Sequence, residues 1–177
     1  IVYTNWITVP AAATPGSASV TVTATDTSSQ SGSAVIPLTI NVSTKVWNGS
    51  GSGNWSDNAD WISGLAPGYS GDTLFFAGST GLTPNVDNNY SVSGLIFSNN
   101  AGSFTIGTAN SSVLTLAGGL TNNSANVQTF NVPVALSGAQ TVSATAGNIA
   151  LASTVNNGGS MLTVAGANNT TISGVIS

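Results

Sequence analysis

Residues 114–142 read LTLAGGLTNNSANVQTFNVPVALSGAQTV. Apolar residues arrive in short groups, at Val113–Leu116, Val127–Phe130 and Val134–Leu136, separated by Gly118-Gly119 and Asn122-Asn123. Alternation with a period of two, bounded by Gly and Asn, predicts short strands and tight turns. No 3.6-residue periodicity runs through the stretch, and no charged, capped turn opens a helix. Strands this short are too small for a large barrel. They suit the rungs of a parallel β-helix, where each coil stacks on the last and small apolar residues fill a narrow interior. Asn at the turns fits as well, because stacked amides form ladders.

Outward from this stretch the pattern repeats. Leu95–Phe97, Phe104–Ile106, Ile149–Leu151, Met161–Val164 and Thr171-Ile172 are further candidate strands. Asn99-Asn100, Asn156–Gly159 and Asn168-Asn169 are further turns. Leu114-x-Leu116 running into Leu120–Asn123 is echoed by Ile149-x-Leu151 running into Val155–Asn157. Residues 91–177 are therefore expected to form the β-helix segment.

Residues 46–90 look like a junction. VWNGSGSGNWSDNADWISGLAPGYSGDTLFFAG, residues 46–78, holds Trp47, Trp55 and Trp61 together with Asp57, Asp60 and Asp72. Gly49, Gly51 and Gly53, with Asn48, Asn54 and Asn58, supply turn-forming residues. The indoles are not at helical spacing. Strand character returns at Asp72–Ala77.

Residues 1–45 have a different texture. Ser19–Thr25 alternates with Val20 and Val22 on one face, and Ala34–Val42 places Ile36, Leu38, Ile40 and Val42 on one face. The small polar run Asp26–Gly32 between them predicts a β-hairpin with a loose loop. Pro37 points to an edge position or a bulge. Ala11–Gly16 is an expected turn and Ile1–Val9 an expected strand. These strands resemble the end of a bacterial immunoglobulin-like module, of which a whole copy needs about seven. Strands without partners invite strand addition from another chain.

Composition narrows the function. The chain has 177 residues, one Lys or Arg, no His, five acidic residues and a net charge of -4. Charged residues are 3% of it, against about 25% in an ordinary globular protein. Phosphate neutralisation needs Lys and Arg, so nucleic acid is not an expected partner. With 41% apolar residues and little net charge, it is not composed like a disordered chain. No apolar run is long enough for a membrane helix, so no membrane insertion is expected of this segment. No signal peptide opens it, and the first residue is Ile rather than Met, as in a processed form or a fragment. There is no Cys, which removes disulfides and thiolate metal sites. The scarcity of Lys, Arg and Glu removes most tryptic sites. Together these point to an extracellular or cell-surface protein.

The stretches 46–78, 114–142 and LTVAGANNTTISGVIS at 162–177, with the W-x7-W-x5-W spacing, GDTLFFAG and NNSANVQTFNVPVAL, carry a family likeness. They resemble the lead-in region of proteins with autotransporter-associated β-strand repeats, from Val46 to Ser177. The resemblance implies a right-handed, passenger-like parallel β-helix in a bacterial surface or secreted protein. In that family tandem repeats follow, and in true autotransporters a membrane barrel; neither is in this sequence. The resemblance implies no catalytic residues.

Candidate sites were weighed against plainer roles. Glycoside hydrolysis needs two carboxylates about 5–10 Å apart, and a serine triad needs His. Residues 88–177 hold no acid, no base and no His, so no enzyme is expected. Asp57 and Asp60 are weak Ca²⁺ candidates, but they lack the D-x-D-x-D-G order and are expected to cap turns instead; no cofactor is expected. Trp47, Trp55, Trp61 and Tyr69 could stack on a sugar. The preferred expectation is a hydrophobic cap on the open end of the β-helix, whose strand edges would otherwise be exposed.

The expected fold is thus all-β: immunoglobulin-like antiparallel strands, a Trp-rich N-terminal cap, then a parallel β-helix. The expected function is non-enzymatic and structural or adhesive, outside a bacterial cell. Two rivals stand beside it. One is a filament subunit, a homopolymer assembled by strand exchange of the N-terminal segment. The other is a carbohydrate-binding module for surface glycans.

Overall fold

A computed structural model describes residues 16–25, 31–40 and 44–177. The expected strand Ile1–Val9, most of the turn before Gly16 and the tip of the hairpin loop lie outside the described residues. So does the question of how many immunoglobulin-like strands precede residue 16.

The first described elements are β1 (Gly16–Thr25) and β2 (Ser31–Ile40), an antiparallel pair in continuous register, with Val20 opposite Ile36 and Ser19 opposite Pro37. The register runs through Pro37 without a bulge. Among the described residues no third strand joins this two-stranded sheet, so Pro37 stands on an edge strand, where proline is tolerated.

From Thr44 onward the chain is a β-solenoid of about five turns. The first rung holds β3 (Thr44–Trp47). The second holds β4 (Thr73–Phe76), β5 (Asn85–Val86) and β6 (Tyr90–Val92). The third holds β7 (Gly94–Phe97), β8 (Thr105–Thr108) and β9 (Leu114–Leu116). The fourth holds β10 (Leu120–Asn122), β11 (Gln128–Phe130) and β12 (Val134–Leu136). The fifth holds β13 (Gln140–Ala144), β14 (Ile149–Leu151) and β15 (Val155–Asn156). The last begins with β16 (Leu162–Gly166) and β17 (Thr170–Ile172). Like-placed strands stack in parallel into three sheets of six, five and four strands.

Sequence spacing explains the stacking. A three-residue strand whose two ends are apolar turns both ends inward and its centre outward. Leu114-Thr-Leu116, Val134-Ala-Leu136 and Ile149-Ala-Leu151 all do so, with both ends buried and the middle half-buried, and Gln128-Thr-Phe130 follows the same pattern with a buried amide at one end. Parallel register then stacks like on like: Leu74, Leu95, Leu120, Val142 and Val164 form one column of the first sheet. A second column runs Trp47, Phe76, Phe97, Asn122, Ala144, Gly166. The core therefore changes along its axis, from aromatic at one end to small at the other.

Two expectations need correction. The solenoid does not wait until residue 91; β3, which straddles the expected boundary at residue 45, and β4, inside the expected junction, already belong to its six-stranded sheet. Asn122 was expected in a turn, yet it closes β10 and is fully buried. Its amide Nδ2 donates to the carbonyls of Asn126 (2.9 Å) and Asn148 (3.1 Å), and its Oδ1 accepts from Ser124 N (3.0 Å). With every polar atom of its amide partnered, an Asn can occupy a core position. Rung-linking amides likewise bond to backbone. Asn126 Nδ2 donates to Ala101 O at 2.8 Å, Gln128 Nε2 to Gly102 O at 2.9 Å, and Asn168 Nδ2 to Thr145 O at 3.1 Å. They act as stitches between coils, where amide-on-amide ladders were expected.

Candidate functional site: the tryptophan loop

The long connection between β3 and β4 is where the sequence concentrates its aromatic and acidic residues. Trp47 ends β3 with its ring turned inward, and its Nε1 donates to Gly81 O at 3.0 Å. Trp61 crosses Trp47 edge-on, with centroids 5.2 Å apart at 84°. Trp55 meets Trp61 in the same way at 6.3 Å and 85°. Phe76 of β4 touches all three indoles. The three Trp residues are buried to within 1%. Edge-to-face geometry sets the positive rim of one ring against the negative face of the next, adding about 0.5–1.5 kcal/mol per pair to the burial.

Two carboxylates shape the loop. Asp57 precedes the short 3-10 turn Asn58–Asp60, and its Oδ1 accepts from Ala59 N at 3.0 Å while its Oδ2 accepts from Ser52 N at 2.9 Å. The Ala59 bond, then the Ser52 bond, holds the Asp57 carboxyl below the usual carboxylate range, because each N–H favours the charged form. Asp60 is fully buried; its Oδ1 accepts from Gly51 N and its Oδ2 from Gly53 N, both at 2.7 Å. Gly51 is required here, since a Cβ would lie 2.7 Å from Asp57 Oδ2 and 2.9 Å from Asp60 Oδ2. Both weak Ca²⁺ candidates are thus engaged as acceptors for backbone N–H groups. Among the described residues no group of three or more His, Cys, Asp or Glu could hold a metal ion.

The loop also lies along the free side of β3. Asn48 N donates to Asp60 O at 2.8 Å and Ile62 N to Val46 O at 2.9 Å, bracketing an antiparallel bridge between Trp47 and Trp61. On its other flank it is tied to the second rung. Trp55 N donates to Asn85 O at 3.0 Å, Asn85 N to Gly53 O at 2.7 Å, and Ser56 Oγ to Asp87 Oδ2.

Tyr69 stands apart from the indoles. It is 47% exposed and stacks on Tyr90 at 5.6 Å and 30°. Tyr90 is buried, and its hydroxyl lies 3.5 Å from Asp87 Oδ1. Burial first, then the Asp87 charge, raises the Tyr90 phenol well above the usual value, so it stays neutral. The structure brings together Trp47, Trp55, Trp61, Asp57 and Asp60, and leaves Tyr69 on the rim. The sequence reading missed Phe76, Asn85 and Gly81, which belong to the next rung and meet the loop only once the coil has turned.

No family model, curated protein or solved structure matches the chain significantly.

Proposed function

We propose that this chain is a non-enzymatic structural element of an extracellular or cell-surface protein, a stiff spacer that carries adhesive surface outward. One observation carries the reading. The interior is a stack from Trp47 to Val155, built from backbone ladders and largely apolar columns, with buried Asn122 and Gln128 bonded to the backbone. Each rung contributes parallel hydrogen bonds to the next, and its polar residues serve the fold's own backbone. In this reading the tryptophan loop is a cap. It pairs the free side of β3 and covers the first rung with indoles, which blocks strand addition at that end. The indoles spend their faces on one another and on Phe76, which favours a cap over a sugar platform.

The test is limited proteolysis of the native chain with a protease of broad specificity, alongside electron microscopy. A structural spacer survives as an elongated core from about residue 44 onward. Rapid cleavage within the rungs under native conditions would overturn the reading.

A second reading has its own observation. The β1–β2 sheet has no third strand among the described residues, and an isolated two-stranded hairpin is only marginally stable in water. Strand exchange at this hairpin between copies would give a filament. Removing residues 1–43 abolishes polymers if that reading holds, and leaves them intact if it does not.

A further inference from the structure

Strand centres point away from the core, and in two of the three sheets they are small or polar. The second sheet stacks Thr129, Ala150 and Thr171 there, and the third stacks Ser91, Thr115 and Ala135. The first sheet differs. Its outer column begins Val46, Phe75, Ile96, all half-buried, before it turns to Thr121 and Ser143. The tryptophan loop lengthens this run. Trp61 faces Trp47 across the antiparallel bridge and Ile62 N donates to Val46 O, so Ile62 stands opposite Val46 on the same outer face. Ile62 is 68% exposed. Ile62, Val46, Phe75 and Ile96 thus form an apolar stripe that crosses the rungs over about 14 Å, at ~4.8 Å per neighbour.

We propose that this stripe is the seat of the β1–β2 hairpin of the same chain, laid across the first sheet with its strands near-perpendicular to the rungs. The hairpin register places Ala18, Val20 and Val22 opposite Leu38, Ile36 and Ala34, so these positions share one face, while Ser17, Ser19 and Thr21 belong to the other. From Ile36 to Ile40 the strand advances about 13 Å, the length of the stripe. Residues 41–43 join Ile40 to Thr44, and that span reaches at most about 14 Å, so one end of the hairpin is held beside β3. Near-perpendicular packing is one of the two ways that apolar sheet faces meet, and a two-stranded hairpin gains its stability from such a surface. β1, β2 and the stripe carry no charged residue, so the faces join without desolvating a charge. The short tether also favours this occupant over a second copy, because it sets a high effective concentration. The seating goes beyond the spacer reading above and stands whether or not that reading holds.

Thiol labelling of the full chain tests it, since the chain has no Cys of its own. Ile96 and Thr115 are both half-buried residues of third-rung strands. Ile96→Cys is nevertheless expected to react at least about tenfold more slowly than Thr115→Cys, a factor that corresponds to about 1.4 kcal/mol of docking. Adding Leu38→Asp in the hairpin is expected to bring Ile96→Cys to the rate of the control, with the far-ultraviolet circular dichroism of the rungs retained. Ile62→Asp, a change at an exposed loop position, is expected to do the same and leaves the hairpin sequence intact. The protection is expected to be unchanged on dilution. Equal rates for the two cysteines would overturn the proposal, as would protection that survives both Asp substitutions. Protection that fades on dilution would assign the stripe to a second copy and overturn it as well.

Discussion

One column of the first sheet runs from Trp47 to Gly166, so the first and last described rungs of one solenoid fill the same position with an indole and with no side chain at all. In the first rung β3 is paired by a loop, the three indoles pack on one another and on Phe76, and buried Asp60 ties the loop together. In the last rung the same column holds Gly166, and the neighbouring columns reach Val164 and Ile176, each about half exposed. The difference teaches where stability should lie. Buried apolar area sets local stability, so the rungs that pack the buried indoles should be firmer than the last described rung, whose Val164 and Ile176 are exposed.

Breaking the closed end should cost the most. Trp55→Ala is expected to lose about 3–5 kcal/mol in urea unfolding, as large buried aromatics do. Trp55→Phe is expected to retain most of that. The Trp55 Nε1 is buried with no hydrogen-bond partner, so Phe sheds an unsatisfied donor while keeping the ring. If the two variants unfold alike, the edge-to-face packing of the indoles is not what holds the loop.

The middle of the column comes next. Asn122→Leu should cost about 1–3 kcal/mol even though Leu suits the neighbouring apolar residues, because the substitution orphans buried Ser124 N and leaves the Asn126 and Asn148 carbonyls only their bonds from Gln128. Leu at this site matching the native stability would show that the stitch is dispensable.

Gly51→Ala should cost about 1–3 kcal/mol by crowding both loop carboxylates, with the loss read as earlier proteolysis between residues 48 and 62. In the last described rung Val164→Ala should cost less than about 1 kcal/mol, since half of that side chain is already hydrated. A large loss there would contradict the contrast between the first and last rungs.

The smallest effect is on pH. The Asp57 carboxyl is lowered in the fold, so its stabilisation is complete above the unfolded value of about 3.9 and is lost as pH falls through the lower folded value. Asp57→Asn should flatten the acid limb of the stability curve and leave neutral pH little changed, as thermal unfolding from pH 2 to 7 would show.

The strands Leu95–Phe97, Val134–Leu136 and Ile149–Leu151 were legible because their alternation reports a backbone with two faces, one wet and one dry. β13 at Gln140–Ala144 and β6 at Tyr90–Val92 were not. Gln, Thr and Ser blur that alternation, and only neighbours in adjacent rungs decide which face is inward. The tryptophan loop was visible as a cluster of types, since no surface segment gathers three indoles without a use for them. Its wiring was not visible, because Asp60 meets Gly51 and Gly53 through a turn while Trp55 and Trp47 meet Asn85 and Gly81 through a whole coil.

By itself the sequence determined the all-β class, the short parallel rungs and the charge-free second half, because these follow from local alternation and composition. Tertiary structure alone decided that Asn122 is core, that the solenoid already includes Thr44–Trp47, and that a loop pairs the side of β3 that faces away from β4. Those depend on which residues lie one turn apart, and turn length is set by loops whose conformation no local pattern encodes.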